Sequence, residues 1–323
     1  MKREVIVINI LLALSLLGCS TTSKNVCNPI DNEVNNEVHN QYDVESDGHV
    51  EEIVKELCSD EYLGRVVGTE ENVKASEYIR DCFKNLEIDS FDTDDYFNKT
   101  NLRYGNSIEV NNVAAIIKGK ESDNAVFITA HFDHVYGKDD NRLCGAIDNA
   151  SGISVLLETA HKIKELTNDK PLDMDVVFVA YNSEETGLNG SSEFLRKYSD
   201  YYKNCYNINI DCVGYAEATE LAMGNNDKNS EKLYGAMRQM FDEEGVGYND
   251  TLYATKDGIQ RGTSDQQIFR SYGFPALVLG DDKIIDVVHT PDDNLENVDF
   301  SDLEKLSDVL SKFVIKHSGE TFQ

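Results

Sequence analysis

The chain is 323 residues long, enough for one large domain or two small ones, and its 40% hydrophobic content is sufficient for a buried core. It is strongly acidic, with 30 Lys+Arg against 59 Asp+Glu and a formal net charge of −29. That balance excludes nucleic acid as a partner, because phosphate recognition needs clustered cations.

The first segment reads as an export signal. Lys2 and Arg3 precede an apolar run from Val5 to Leu17 that is too short to span a membrane comfortably. The run ends in Leu16-Leu17-Gly18-Cys19, which is similar to the lipobox of bacterial lipoproteins. That likeness implies a signal peptide of residues 1–18, acylation of Cys19, and a lipid-anchored, extracytoplasmic protein at the cell membrane. An ordinary secretory signal that happens to contain a cysteine is the other reading, and both imply export. Residues 19–48 are rich in Asn, Asp, Glu, Ser and Thr and read as a disordered tether. A single domain over 49–323 follows. Six cysteines lie beyond Cys19 with no CxxC spacing, which argues against a structural zinc knuckle. Export permits disulfides, but the pairing is open, and Cys58 and Cys82 fit equally well as free buried thiols in helical patterns.

Helical periodicity runs from Val50 to Leu57, and again from Glu70 to Leu86 with Thr69 as candidate cap. Compact β-branched runs at 113–117 and 126–129 read as strands. A helix is expected over 152–166. A strand buried on both faces is expected over 174–181, then a helix over 191–198 and a strand over 206–210 ending at Asp211. A short strand at 221–223, a helix over 230–244, a loop over 257–263, a short helix after Ser264-Asp265, a strand at 275–279 and a last helix over 301–316 complete the pattern. This alternation predicts an α/β fold, a three-layer α/β/α domain around a mixed, largely parallel central sheet.

His131, Asp148, Glu184-Glu185 and Asp211 all fall at or just beyond expected strand ends, where the functional crevice of an open α/β sheet lies. His289 sits on a late loop. Two histidines with three carboxylates suit two zinc-like ions, provided one carboxylate bridges.

The motifs that carry these residues are His131-Phe132-Asp133, Gly145-Ala146-Ile147-Asp148-Asn149-Ala150-Ser151-Gly152, Ser183-Glu184-Glu185-x-Gly187, Asn209-Ile210-Asp211-Cys212-Val213-Gly214 and His289-Thr290-Pro291-Asp292-Asp293. Ser59-Asp60-Glu61-x-x-Gly64-Arg65 with Gly68-Thr69-Glu70 precedes them. Together they resemble the co-catalytic dizinc aminopeptidase family that also includes glutamate carboxypeptidase II and the transferrin receptor. The likeness covers about residues 50–318 and implies a zinc-peptidase (phosphorylase/hydrolase-like) fold and peptide substrates. It implies two Zn2+ ions, one held by His131 and Asp211 and the other by Glu185 and His289, with Asp148 bridging. Glu184 would be the general base, and Asp133 would hydrogen-bond His131 and fix its tautomer. Asn149 stands where the family carries an unusual peptide geometry. His134 reads as a loop histidine, since the five ligands already serve two ions, and His161 as a partly buried bystander. Ser264-Asp265 matches a pair near the family's substrate pocket, or is a helix cap. Two departures stand out. Val288 occupies a position where some relatives use a tyrosine to stabilise the oxyanion, which leaves Tyr253 and Tyr272 as candidates, and no inserted domain separates the early helix from the sheet. Residues 136–144 are a candidate wall of the substrate cleft.

The resemblance implies an exported, lipid-anchored zinc exopeptidase, an aminopeptidase because an acidic site attracts a free α-amino group. The alternatives are a glutaminyl-cyclase-like transferase and a non-catalytic binding lipoprotein on the same fold.

Overall fold

A computed structural model describes residues 49–104, 106–138, 142–168, 170–224, 227–249 and 263–323. The segments expected as signal and tether, Cys19, Tyr253 and most of the loop expected over 257–263 lie outside the described residues. The helices are α1 (His49–Leu57), α2 (Glu70–Asn85), α3 (Ser151–Thr167), α4 (Asn189–Tyr198), α5 (Glu231–Glu244), α6 (Gln266–Ser271) and α7 (Phe300–Lys316). The strands are β1 (Asp89–Ser90), β2 (Phe97–Tyr104), β3 (Asn106–Ile117), β4 (Glu121–His131), β5 (Met174–Tyr181), β6 (Asn204–Ile210), β7 (Leu221–Met223), β8 (Tyr248–Asn249) and β9 (Ala276–Asp281).

They form one mixed sheet in the order β1-β3-β5-β4-β6-β9-β7-β8, with β2 pairing β3. The central block β5-β4-β6-β9 is parallel, and antiparallel β3 and β7 flank it. Every residue of β5 is buried, as its unbroken apolar run requires. Val176, Phe178 and Ala180 face one core with α1, α2, α3, α5 and α7. Val177, Val179 and Tyr181 face a second core with α4 and α6. The side chains therefore alternate between two helical layers, and the fold is the expected three-layer α/β/α arrangement.

Sequence patterning missed β2 and the first half of β3. Their segments, Asn98-Lys99-Thr100-Asn101 and Asn111-Asn112 among them, are poor strand formers. They are strands because each pairs along its whole length, from Phe97↔Val113 to Tyr104↔Asn106. The β4–β5 register also shifts between Glu121 and Ala125, so β4 begins earlier than its apolar run. Thr69 does cap α2, accepting from Asn72 N at 3.3 Å.

Cys58, equally readable as a free thiol, is instead bonded to Cys144, while Cys82 is free and buried. The disulfide joins the end of α1 to the segment entering Gly145 across a separation of 86 residues. Loop closure of that length is worth about 4–5 kcal/mol in the chain-entropy account.

A buried polar knot holds α1 to α3. Glu158 lies 3.2 Å from His49 Nδ1, 3.7 Å from His161 Nδ1 and 3.6 Å from Lys162 Nζ. Burial alone would raise the Glu158 carboxyl, but the nearby His161 and His49 imidazoles, with the Lys162 charge, hold it far below the usual range. A depressed folded-state pKa gives stability that is present above the unfolded value of about 4.3 and is lost as pH falls through the folded value. Glu158→Gln should therefore cost about 2 kcal/mol near neutral pH, less than a fully broken buried pair because Lys162 keeps Asp308 and Glu304. Urea unfolding at several pH values should show the difference from wild type shrinking below pH ~4. A gap independent of pH would contradict the ionic account.

Candidate metal centre and active site

The site lies beyond the carboxyl ends of the parallel strands, where the connecting loops converge. His131 is the last residue of β4, Glu184-Glu185 follow β5, and Asp211 follows β6 directly. Asp148 lies in a single irregular turn, Ala146–Ala150, just before α3, and its peptide bond to Asn149 is cis. His289 comes from the loop after β9. Ser183, Cys212 and His289 have φ of 69°, 62° and 61°, so the turns carrying Glu185, Asp211 and His289 each contain a non-glycine residue in the left-handed region. Such residues cost about 1–3 kcal/mol each and persist where surrounding structure over-determines them.

The structure brings together all five residues proposed as ligands. Asp148 faces two imidazoles, with Oδ1 3.3 Å from His131 Nε2 and Oδ2 3.0 Å from His289 Nε2. Asp211 Oδ1 is 3.3 Å from His131 Nε2, and Glu185 Oε1 is 2.8 Å from His289 Nε2. The donors fall into two groupings that share Asp148. One is His131, Asp148 and Asp211; the other is His134, Asp148, Glu185 and His289.

Electrostatics follows from burial. Desolvation works against the His131 imidazolium, yet Asp211 and Asp148 outweigh it and hold its pKa well above the usual value. His289 is raised to about 10 by hydrogen bonds to Asp148 and Glu185. Asp148 would be raised by burial, but His131 and His289 hold it well below the carboxylate range. Burial pushes Glu184 well above it, helped by Asp265, Asp211 and Glu185.

Asp133 differs in detail from the role implied for it. His131 Nδ1 hydrogen-bonds the main-chain oxygen of Asp133 at 3.1 Å, whereas the carboxylate is 3.8 Å away. The main chain therefore fixes the tautomer. The carboxylate instead accepts the amides of Glu184 at 3.0 Å and Glu185 at 3.2 Å, which sets the turn carrying both glutamates.

Three residues organise the site without standing among the candidate ligands. Arg65 is fully buried, and its guanidinium donates to Phe132 O, Leu57 O, Cys144 O and Gly145 O at 2.8–3.0 Å. Burial lowers it to about 10, against the pull of Asp293, Asp148, Asp133 and Glu185. Asp293 accepts the amides of Ile147 at 2.6 Å and Asp148 at 3.2 Å. Asn149 accepts from Gly152 N and Cys212 N and donates to Ile210 O, so one amide joins the Asp148 turn to the Asp211 turn. A Cβ at Gly152 would lie 2.2 Å from Asn149 Oδ1, which is why that position needs glycine. The presence of these residues in the motifs was legible, but their roles were not, because main-chain partners leave no pattern in sequence.

Asp265 makes no cap hydrogen bond to α6. It is buried beside the site, raised to about 7 chiefly by desolvation, and Ser264 accepts from Asn209 Nδ2 at 2.8 Å. Tyr272 is 44% exposed, and Val288 packs against the main core. His134, a loop histidine by sequence, is buried and lies with Asp148, Glu185 and His289 in the second grouping.

The buried carboxylates outnumber the cations facing them, and mixed nitrogen and oxygen donors suit zinc. The residues fit a divalent metal centre. A further grouping, His49, Glu158 and His161, does not fit as well, because the Lys162 ammonium already compensates Glu158 there.

Fold and site together define an α/β domain with a candidate divalent-metal centre at the carboxyl ends of its parallel strands. A family model for peptidase family M28 matches residues 112–314, and the chain belongs to that family. Aminopeptidase YwaD of Bacillus subtilis (strain 168) is 31% identical over 214 residues, covering 63% of this chain and 44% of that protein. The solved structure of BSAP, a zinc aminopeptidase from Bacillus subtilis, superposes with a TM-score of 0.54 at 26% identity, over 65% of this chain and 50% of that one. Fimbriiglobus ruber glutaminyl cyclase, at 17% identity, has the same fold, with a TM-score of 0.69 over 86% of this chain and 99% of that one. The chain spans less than half the length of the first curated relatives it matches.

Proposed function

We propose that this protein is an exported, lipid-anchored aminopeptidase with a dinuclear zinc centre. The observation that carries the reading is Asp148, whose two oxygens face different imidazoles, His131 and His289, so that one carboxylate serves both groupings. His131 and Asp211 would hold one ion, and Glu185 and His289 the other. Bound there, the two ions would polarise the scissile carbonyl and make an attacking water more acidic. Glu184 stands in neither grouping yet beside both, on the turn that Asp133 fixes. It takes the proton of the attacking water and returns it to the leaving amine. The amide carbon–nitrogen bond breaks as the new carbon–oxygen bond forms, with Glu184 ending in its starting state. The acidic crevice favours a substrate with a free α-amino group. Likeness to aminopeptidases of Bacillus subtilis supports the same choice.

Export and anchoring rest on the Leu16-Leu17-Gly18-Cys19 motif. The Cys58–Cys144 disulfide supports them, because such bonds persist in oxidising compartments. Among the described residues no helix is long and apolar enough to cross a membrane.

The cyclase fold match favours one second reading, a transferase that closes N-terminal glutamine. A peptide library with free and N-acetylated termini, followed by mass spectrometry, separates the two. The expected result is release of N-terminal residues from free peptides only. Loss of ammonia from N-terminal glutamine without chain shortening would replace the aminopeptidase reading with the cyclase.

A further inference from the structure

We infer that His134 is a fourth protein ligand at the Asp148–Glu185–His289 grouping, which makes the centre asymmetric, with one closed and one open position. The inference rests on the metal-centre reading above and concerns a side chain outside the five-residue set that defines it.

His134 is 1% exposed, and neither ring nitrogen has a hydrogen-bond partner. A buried imidazole left without partners is costly. Its Nδ1 is directed at the site, 3.4 Å from Glu185 Oε1 and 3.8 Å from Asp148 Oδ2. Those separations are long for hydrogen bonds. They match two donors on one ion, because tetrahedral zinc with bonds of about 2.0–2.1 Å places its ligand atoms ~3.3 Å apart. The other edges are 2.8 Å from Glu185 Oε1 to His289 Nε2 and 3.0 Å from Asp148 Oδ2 to His289 Nε2. All four donors lie within 4.8 Å of one another. The place is built for the ring. His134 N donates to Arg65 O, and Gly145 leaves the space beside it, where a Cβ would come 2.7 Å from His134 Cδ2.

Four protein donors are what closed, structural zinc sites carry, whereas three leave a position for water or substrate. The grouping of His131, Asp148 and Asp211 has three. His134 thus divides the labour. Its own grouping retains its ion tightly, and the His131 grouping holds the exchangeable ion and the open position.

The test is metal binding by the full-length protein, wild type against His134→Ala and His134→Asn. Asparagine can place an oxygen near the Nδ1 position. Zinc affinity is read by competition with a chromophoric chelator, and coordination by the visible absorption of the cobalt-substituted protein. Wild type should bind two ions with clearly unequal affinities. His131→Ala should keep the tighter ion. His134→Ala should weaken the tighter ion by more than about 100-fold, beyond the loss typical of groups that only support a ligand. It should also change the cobalt absorption from four- toward higher-coordinate intensity, and His134→Asn should fall between. Circular dichroism and thermal melts in excess chelator separate loss of fold from loss of a ligand. Two ions bound by His134→Ala with unchanged affinities and spectrum would overturn the inference while leaving the metal-centre reading intact. Failure of folded wild type to bind zinc would overturn both.

Discussion

Glu184→Gln should retain the full metal content of wild type and lose about 10²–10⁴-fold in kcat, the range of a positioned general base. The substitution preserves shape and removes only the ability to hold a proton. The Glu184 amide still donates to Asp133 Oδ1, so the turn that also carries Glu185 should be undisturbed. Glu184 belongs to neither donor grouping, so zinc stoichiometry is the internal control. The loss corresponds to about 3–5 kcal/mol of transition-state stabilisation. Hydrolysis of aminoacyl-anilides checks it, with metal analysis on the same preparation. Wild-type turnover by a fully loaded variant would remove Glu184 from its role.

Asp148→Asn should have the opposite profile, losing metal and activity together. Asp148 alone belongs to both groupings, so one substitution weakens both, and affinity for each ion should drop by more than about 100-fold. The same change can be followed in chelator-treated protein. His289 owes its raised pKa of about 10 first to its hydrogen bond to Asp148 and then to the one to Glu185, so its titration by NMR should move down toward the ordinary histidine value. A raised folded pKa gives stability that is full below the unfolded value and lost as pH rises through the folded one. Without metal, wild type should therefore lose part of its advantage over Asp148→Asn between pH ~6.5 and pH ~10. Two ions retained at normal affinity would refute the shared carboxylate.

The parallel core of the fold was legible because its strands are apolar on both faces and alternate with helices of clear period. β2 and the first half of β3 were not, since Asn-rich segments become strands only through the partner each supplies to the other. At the site, the motifs mark residue type and order, and the structure places His131, Asp148, Glu185, Asp211 and His289 together. A ligand count makes His134 superfluous, and its burial and unpartnered ring nitrogens are features that only the folded chain displays. The work of Arg65, Asp293 and Asn149 falls on backbone groups, and a sequence records no backbone partner. The Cys58–Cys144 pair was equally out of reach, since six cysteines admit many pairings and only folding brings these two within 5.0 Å between Cα atoms.

Arg65 has a consequence for how the protein can be remodelled. Its guanidinium holds Phe132 O at the entrance and Cys144 O and Gly145 O at the exit of the same loop, and the disulfide adds a covalent anchor at that exit. Both ends of the segment are thus tied to Arg65, and one of them to Cys58 as well. Doubling such a loop costs only about 0.6 kcal/mol in closure entropy. New sequence grafted after His134 and before Cys144, with Asp133 and His134 kept, should change this segment while the metal-binding turns keep their places.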